Sequence, residues 1–211
     1  MTTARFITLE GGEGVGKSTQ TILLADALRD RGLRVHVTRE PGGTKGAEAI
    51  RALLLGKDFE WGARAECLLF AAARADHVAT VIRPALAAGQ WVVCDRFLDS
   101  SRAYQGGEGG LDDADIMAAH SLGSAGLLPD HTILLQAREE ALVERLRARD
   151  GEHSDRIGGR SAEYHRQVAD RFCAMARAEA DRFSSIDAQG APTVVHERIM
   201  LALAPMLDQS P

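Results

Sequence analysis

Short apolar runs alternate along the chain with longer stretches in which apolar residues recur every three or four positions. The runs are strand-like and the longer stretches helical. Arg5 to Leu9 predicts a buried strand, Thr19 to Arg31 an amphipathic helix stopped at Gly32, and Arg34 to Thr38 a second strand. After the turn-forming Pro41-Gly42-Gly43, Ala47 to Leu55 predicts a helix, and Ala63 to Ala88 a longer helical region interrupted near Pro84 and closed by Gly89. Trp91 to Cys94 is an apolar run that delivers Asp95 and Arg96 at its C-terminal edge. Asp113 to Leu122 reads as helix, Thr132 to Gln136 as strand, and Glu139 to Arg149 and Ala162 to Phe183 as helices. Such alternation is the pattern of an α/β fold, a parallel sheet with helices on both faces, which binds ligands beyond the C-terminal ends of its strands. Asp150 to Arg160, rich in Gly, Asp and Arg and without apolar periodicity, is expected to be a mobile loop.

At 211 residues, with no internal repeat or linker, the chain is expected to fold as a single domain, residues 1–211. Hydrophobic residues at 45% and charged residues at 26% are ordinary for a globular protein. A formal net charge of -5 argues against a nucleic-acid binder with a broad basic surface, so phosphate binding is expected to be local. Cys67, Cys94 and Cys173 lie far apart without CxxC spacing and read as reduced core thiols. The seven histidines lack metal-ligand spacing. No signal peptide is visible, and no run of about 18 apolar residues could span a membrane, so no membrane partner is expected and the expected compartment is the cytoplasm.

Gly11-Gly12-Glu13-Gly14-Val15-Gly16-Lys17-Ser18 matches GxxxxGK[ST], directly after one predicted strand and before a helix. Glycines allow the backbone to wrap around phosphates with its N–H groups inward, and the helix N-terminus adds its positive dipole end. Lys17 is expected on the β- and γ-phosphates of ATP and Ser18 on Mg²⁺. ATP and Mg²⁺ are the cofactors this motif implies.

A P-loop alone does not separate kinases from GTPases or motor ATPases. No NKxD-type guanine reader occurs here, and the chain is short for a motor. Arg147, Arg149, Arg156 and Arg160 give the loop a local excess of positive charge, which suits a lid over about 147–160 that closes on ATP. By charge alone the same arginines could pair with Glu139, Glu144 and Glu152 as a solvated helix end. A regulatory ATP-binding module is the rival of another class, against which Lys17, Ser18, Asp95 and the basic lid weigh.

The chain resembles the bacterial thymidylate kinases in five ordered blocks: Leu9-Glu-Gly-Gly-Glu-Gly-Val-Gly-Lys-Ser-Thr19, Thr38-Arg-Glu-Pro-Gly-Gly-Thr44, Leu69-Phe-Ala-Ala-Ala-Arg74, Asp95-Arg96 with Ser100-Ser-Arg-Ala-Tyr-Gln-Gly-Gly107, and Asp155-Arg-Ile157. The resemblance implies the P-loop NTPase fold with a five-stranded parallel sheet, a homodimer, and transfer of the γ-phosphate of ATP to dTMP, giving dTDP and ADP in dTTP biosynthesis. It places ATP on residues Gly11 to Thr19 and Mg²⁺ on Ser18 and Asp95. For dTMP it implies Glu13 at the sugar, Arg51 and Arg96 on the phosphate, Phe70 stacked on thymine, and Arg74 bonded to its O4 edge. Ser101 and Gln105 complete the base and sugar pocket, Tyr104 lies against the deoxyribose, and Arg39 and Ser100 join the dTMP contacts. Lys17, Arg96, Arg149 and Arg156 are the expected catalytic residues.

From spacing alone Phe70 would be a core residue and Arg51 an exposed helical arginine. The chain departs from the family where the lid commonly reads Asp-Arg-x-Glu, because Asp155-Arg-Ile is followed here by Gly158-Gly159. Basic residues in the lid together with Glu13 in the P-loop are similar to the bacterial subclass whose lid supplies the catalytic arginine.

Overall fold

In the computed structural model the described residues are 4–107, 110–138 and 156–208. Five parallel strands, β1 (Phe6–Glu10), β2 (Val35–Arg39), β3 (Trp91–Asp95), β4 (His131–Gln136) and β5 (Phe183–Asp187), form a sheet in the order β2-β3-β1-β4-β5. The helices are α1 (Lys17–Asp30), α2 (Lys45–Leu55), α3 (Ala63–His77), α4 (Arg83–Ala87), α5 (Leu98–Gln105), α6 (Asp113–Ser124), α7 (Ala162–Ala178) and α8 (Pro192–Asp208).

The central strands are apolar because both of their faces are covered. Ile7, Leu9, Val93, Ile133 and Leu135 pack with Leu24 and Leu28 of α1 and with Val195, Ile199, Leu203 and Leu207 of α8. On the other face Phe6, Val92 and Cys94 meet Cys67 of α3, Ala85 of α4 and Ile116 of α6. There Leu134 and Phe183 meet Val168, Phe172 and Met175 of α7. The edge strand β2, by contrast, keeps no fully buried residue.

Most predicted elements appear with ends shifted by at most two residues. The interruption expected near Pro84 is a π-helical turn over Val78–Ile82, after which Pro84 sits in the first turn of α4. One correction is larger. The helix expected from Ala162 to Phe183 ends at Ala178, and Phe183 instead begins β5. In Phe-Ser-Ser-Ile-Asp only Phe183 and Ile186 are buried, so this edge strand carries no apolar run to announce it. Helices α5 and α8 had no counterpart in the pattern reading. The helix expected over Glu139–Arg149 lies outside the described residues, as do Arg147, Arg149 and Asp155 of the expected lid. No described helix is long and apolar enough to cross a membrane. All three cysteines are free, but only Cys67 and Cys94 are buried, and Cys173 on α7 is half-exposed.

Candidate active site

β1 delivers the P-loop at its C-terminal end. Gly11, Gly14 and Gly16 adopt φ values of 135, 73 and 98°, a region that L side chains rarely enter. At Gly11 a Cβ would also lie 2.4 Å from the Leu135 carbonyl, so glycine is demanded twice. Lys17 Nζ donates to the carbonyls of Gly12 at 2.7 Å and Gly11 at 3.1 Å. Burial, with help from the nearby positive charge of Arg96, lowers its pKa to about 8. Ser18 Oγ donates to Asp95 Oδ2 at 2.6 Å, so the hydroxyl and the carboxylate meet where the P-loop helix and the end of β3 converge. Two hard oxygen donors side by side suit Mg²⁺, which takes most of its remaining ligands from water and phosphate.

Arg96, one residue past β3, sits at φ 68°, a left-handed conformation that costs a non-glycine residue about 1 kcal/mol or more. Glu10 holds the turn that follows. Its Oε1 accepts from the backbone N–H groups of Phe97 at 2.7 Å and Ser100 at 3.2 Å, and its Oε2 from Ser100 Oγ at 2.6 Å. Complete burial, reinforced by the negative charge of Asp99, pushes the Glu10 carboxyl up to about 7. From this turn the Arg96 guanidinium reaches across the P-loop to Gly11 O at 3.0 Å and Glu13 Oε1 at 2.5 Å, and to Ser100 Oγ at 3.0 Å. It also lies over the ring of Tyr104, 5.1 Å from the centroid.

The residues expected at the base are held by a second buried network. Arg74 Nε donates to Glu40 Oε2 at 2.8 Å, and its NH2 to Ser101 Oγ at 2.7 Å. Glu40 Oε1 in turn accepts from His77 Nδ1 at 3.0 Å, and His77 Nε2 meets Thr38 Oγ1 at 2.6 Å. Gly43 fits beneath this chain only without a side chain, since a Cβ would stand 2.6 Å from His77 Nε2. Thr44 then caps α2 by accepting from the Ala47 N–H at 2.9 Å. Arg51 on α2 donates to the Pro41 carbonyl at 2.8 Å. Asp99, fully buried, anchors α5 to the sheet by accepting from both terminal nitrogens of Arg182 at 2.8 and 2.9 Å.

The side chains that these networks hold, Arg51, Arg74, Arg96 and Ser101 among them, line one cleft of about 480 Å³. It joins Gly14, Gly16, Lys17, Ser18 and Thr19 of the P-loop to all ten residues expected around dTMP: Glu13, Arg39, Arg51, Phe70, Arg74, Arg96, Ser100, Ser101, Tyr104 and Gln105. Gly11, Gly12 and Val15 lie on the far side of the P-loop and line a separate cavity of about 440 Å³ against β4 and α7. Phe70 is half-buried, packing against the core cluster around Tyr104 and Phe172 and also forming part of the cleft wall. Arg39 is the most open of the set and pairs with Glu48 at 2.8 Å.

Arg156 is not brought to the phosphate cradle. Its guanidinium donates to Glu66 Oε2 at 2.6 Å and to the Leu54 carbonyl at 2.8 Å, because a buried carboxylate on α3 offers it a stronger partner than solvent. The pattern reading gave Glu10, Glu40, Glu66 and His77 no role, yet these buried groups orient the cleft's arginines and amides. Their signal in the sequence was slight: Glu66 is a charge within an otherwise apolar helical stretch, and Glu10 and Glu40 stand where strand-like runs end.

The thymidylate kinase family model matches residues 9–199. A thymidylate kinase of Rhizorhabdus wittichii is 72% identical over 132 residues, which cover 62% of this chain and 64% of the relative, just under two thirds of its length. One from Chromohalobacter salexigens is 55% identical over 151 residues, 71% of each chain. Among solved structures, the crystal structure of thymidylate kinase from Ehrlichia chaffeensis superposes with a TM-score of 0.77 at 31% identity, covering 95% of this chain and 98% of that one. With the P-loop, the Arg96 turn and the residues expected around the acceptor meeting in one cleft, the chain belongs to the thymidylate kinase family.

Proposed function

We propose that the protein is an ATP:dTMP phosphotransferase that forms dTDP and ADP in dTTP biosynthesis. The observation that carries this reading is the single cleft in which the ATP-type P-loop and the ten acceptor-side residues share a wall. A donor on Lys17 and an acceptor phosphate on Arg96 would then meet over the P-loop, where Arg96 already bonds to Glu13 and Gly11.

The acceptor phosphate is anionic at neutral pH, so its oxygen can attack without a strong general base. Catalysis is then positioning and charge stabilisation. Lys17 exchanges its two carbonyl partners for phosphate oxygens. Arg96 and Arg51 fix the acceptor phosphate in line, and Arg149 of the lid, over about 147–160, meets the charge on the transferring group. Ser18 and Asp95 would hold Mg²⁺, which when bound neutralises charge on the donor phosphates. Phe70 stacks on the pyrimidine, Arg74 donates to its O4, and Tyr104 occupies the space beside the sugar where a 2′-hydroxyl would stand. Burial pushes the Tyr104 phenol up to about 12, so it stays neutral at working pH.

The reading includes a single domain in a cytoplasmic homodimer. Leu68 on α3 and Leu122 on α6, neighbouring helices, are 62% and 91% exposed, and a second copy would cover such an apolar face. Light scattering of the purified protein tests the dimer. For the activity, dTDP formation from ATP and dTMP should require added Mg²⁺ and stop with a chelator. No dTDP under any metal condition would contradict the proposal.

A further inference from the structure

Glu66, in the first turn of α3, is 2% exposed and has no part in the mechanism above. Its two oxygens serve different partners. Oε2 accepts from Arg156 at 2.6 Å and Arg160 at 2.7 Å, both from the C-terminal end of the expected lid. Oε1 accepts from Gln105 Nε2 at 2.9 Å, at the end of α5. Arg160 also donates to the Tyr164 hydroxyl at 2.5 Å, and that hydroxyl donates to the Tyr104 carbonyl at 2.7 Å. One carboxylate thus ties α3, the end of α5 and the start of α7 together.

An amide can present either its NH₂ or its oxygen to a neighbour, and beside a carboxylate only the NH₂ is favourable. Two guanidinium groups occupy Oε2, which leaves Oε1 for Gln105. The amide oxygen of Gln105 is consequently turned away from Glu66. It is buried and has no hydrogen-bond partner among the described residues, while Gln105 itself lines the cleft. A buried carbonyl left unmet is costly, so a ligand N–H or O–H that reaches it is rewarded.

We propose that Glu66 is a positioning residue that sets the hydrogen-bond polarity of the acceptor pocket. It fixes Gln105 as an acceptor, and Arg156 and Arg160 lock it in that task. The pocket then favours an acceptor nucleotide that offers a donor at this wall, as the imide N–H of a thymine or uracil ring does and the unprotonated N3 of cytosine does not. This rests on reading the cleft as the acceptor site, and it moves Arg156 from the donor side to the acceptor side.

The test is steady-state kinetics of the whole chain with ATP and dTMP. Glu66→Gln removes the charge and frees the Gln105 amide to turn, so KM for dTMP should rise about tenfold while kcat and KM for ATP change less than about threefold. In a Gln105→Ala background the same substitution should add less than about twofold, because the group through which it acts is gone. Arg156→Ala, at a more open position, should raise KM for dTMP several-fold with little change in kcat, and it decides the matter if Glu66→Gln does not fold. A lower melting temperature with wild-type KM for dTMP, or a full penalty persisting in the Gln105→Ala background, would reduce Glu66 to a structural ion pair. Wild-type protein that does not turn over dTMP would overturn both this inference and the reading on which it rests.

Discussion

Arg74 Nε donates to Glu40 Oε2 at 2.8 Å, with the two side chains only 3% and 5% exposed. The guanidinium proposed to read the base edge is therefore aimed by a buried counter-charge, and His77 holds the other carboxylate oxygen. Glu40→Gln removes that counter-charge and leaves Arg74 buried without it. Breaking such a pair from one side costs about 3 kcal/mol. Urea unfolding should register this loss, and KM for dTMP should rise in the fraction that stays folded. Wild-type stability would mean that Arg74 finds its orientation elsewhere.

Lys17 holds two P-loop carbonyls until a phosphate replaces them. Its charge matters most while charge moves between phosphates, so Lys17→Ala should lower kcat by about 10²-fold or more, roughly 3 kcal/mol. A folded Lys17→Ala variant with near-normal turnover would remove the P-loop from the mechanism. The same residue gives a pH dependence. In the free protein its pKa is lowered to about 8, and bound phosphate favours the charged form, so ATP binding takes up a proton above that pH. Calorimetric titrations should therefore show ATP affinity constant below about pH 7.5 and falling as pH rises through 8 to 9.

Glu10 makes stability depend on pH with a known sign. Its folded pKa, pushed up to about 7, lies above the ordinary carboxylate value of 4.5, so the folded state binds the proton more tightly than the unfolded state does. Stability contributed by the protonated form is complete below about pH 4.5 and is lost as pH rises to 7, by about 2–3 kcal/mol. Histidines whose pKa is lowered by burial, such as His120 and His131, act with the opposite sign over the same range. The comparison with Glu10→Gln isolates the carboxyl. Between pH 5 and 8 the wild type should lose stability relative to the variant, and parallel profiles would contradict the burial argument.

Sheet and site were legible to different depths. β1, β3 and β4 are buried on both faces, so each wrote an apolar run that no other element could explain. The edge strand β5 and helix α5 did not. α5 buries Asp99, Ser101 and Gln105 alongside Leu98 and Ala103, because it lines the cleft, and a helix whose buried face is polar has no apolar stripe to find. Helix α8 is a different case. Val195, Ile199, Leu203 and Leu207 recur at a spacing of four, so its signal was present and unused. The expected contact residues were found by motif, and all ten expected around the acceptor line the cleft. Glu10 and Glu40 lie inside matched blocks and Glu66 outside them, but no motif tells which groups they aim. Their partners are 87, 34 and 39 residues distant in sequence, as in Glu10 to Phe97, Glu40 to Arg74 and Glu66 to Gln105, and only the fold brings them together.

The central claim is that this cleft selects dTMP. Arg74 can only donate, so a ring with a carbonyl at position 4 satisfies it, whereas the cytosine amino group would leave both groups unpaired in a buried site at a cost of a few kcal/mol. Uracil keeps the carbonyl and lacks only the methyl group, a loss of about 1 kcal/mol. A purine needs room for a second ring. The most direct test is kcat/KM for ATP-dependent phosphorylation of dTMP, dUMP, dCMP and dAMP under one set of conditions. The account predicts dTMP above dUMP by about fivefold, and dUMP above dCMP and dAMP by 10²-fold or more. If dCMP or dAMP matched dTMP, the roles given to Phe70 and Arg74 would be wrong.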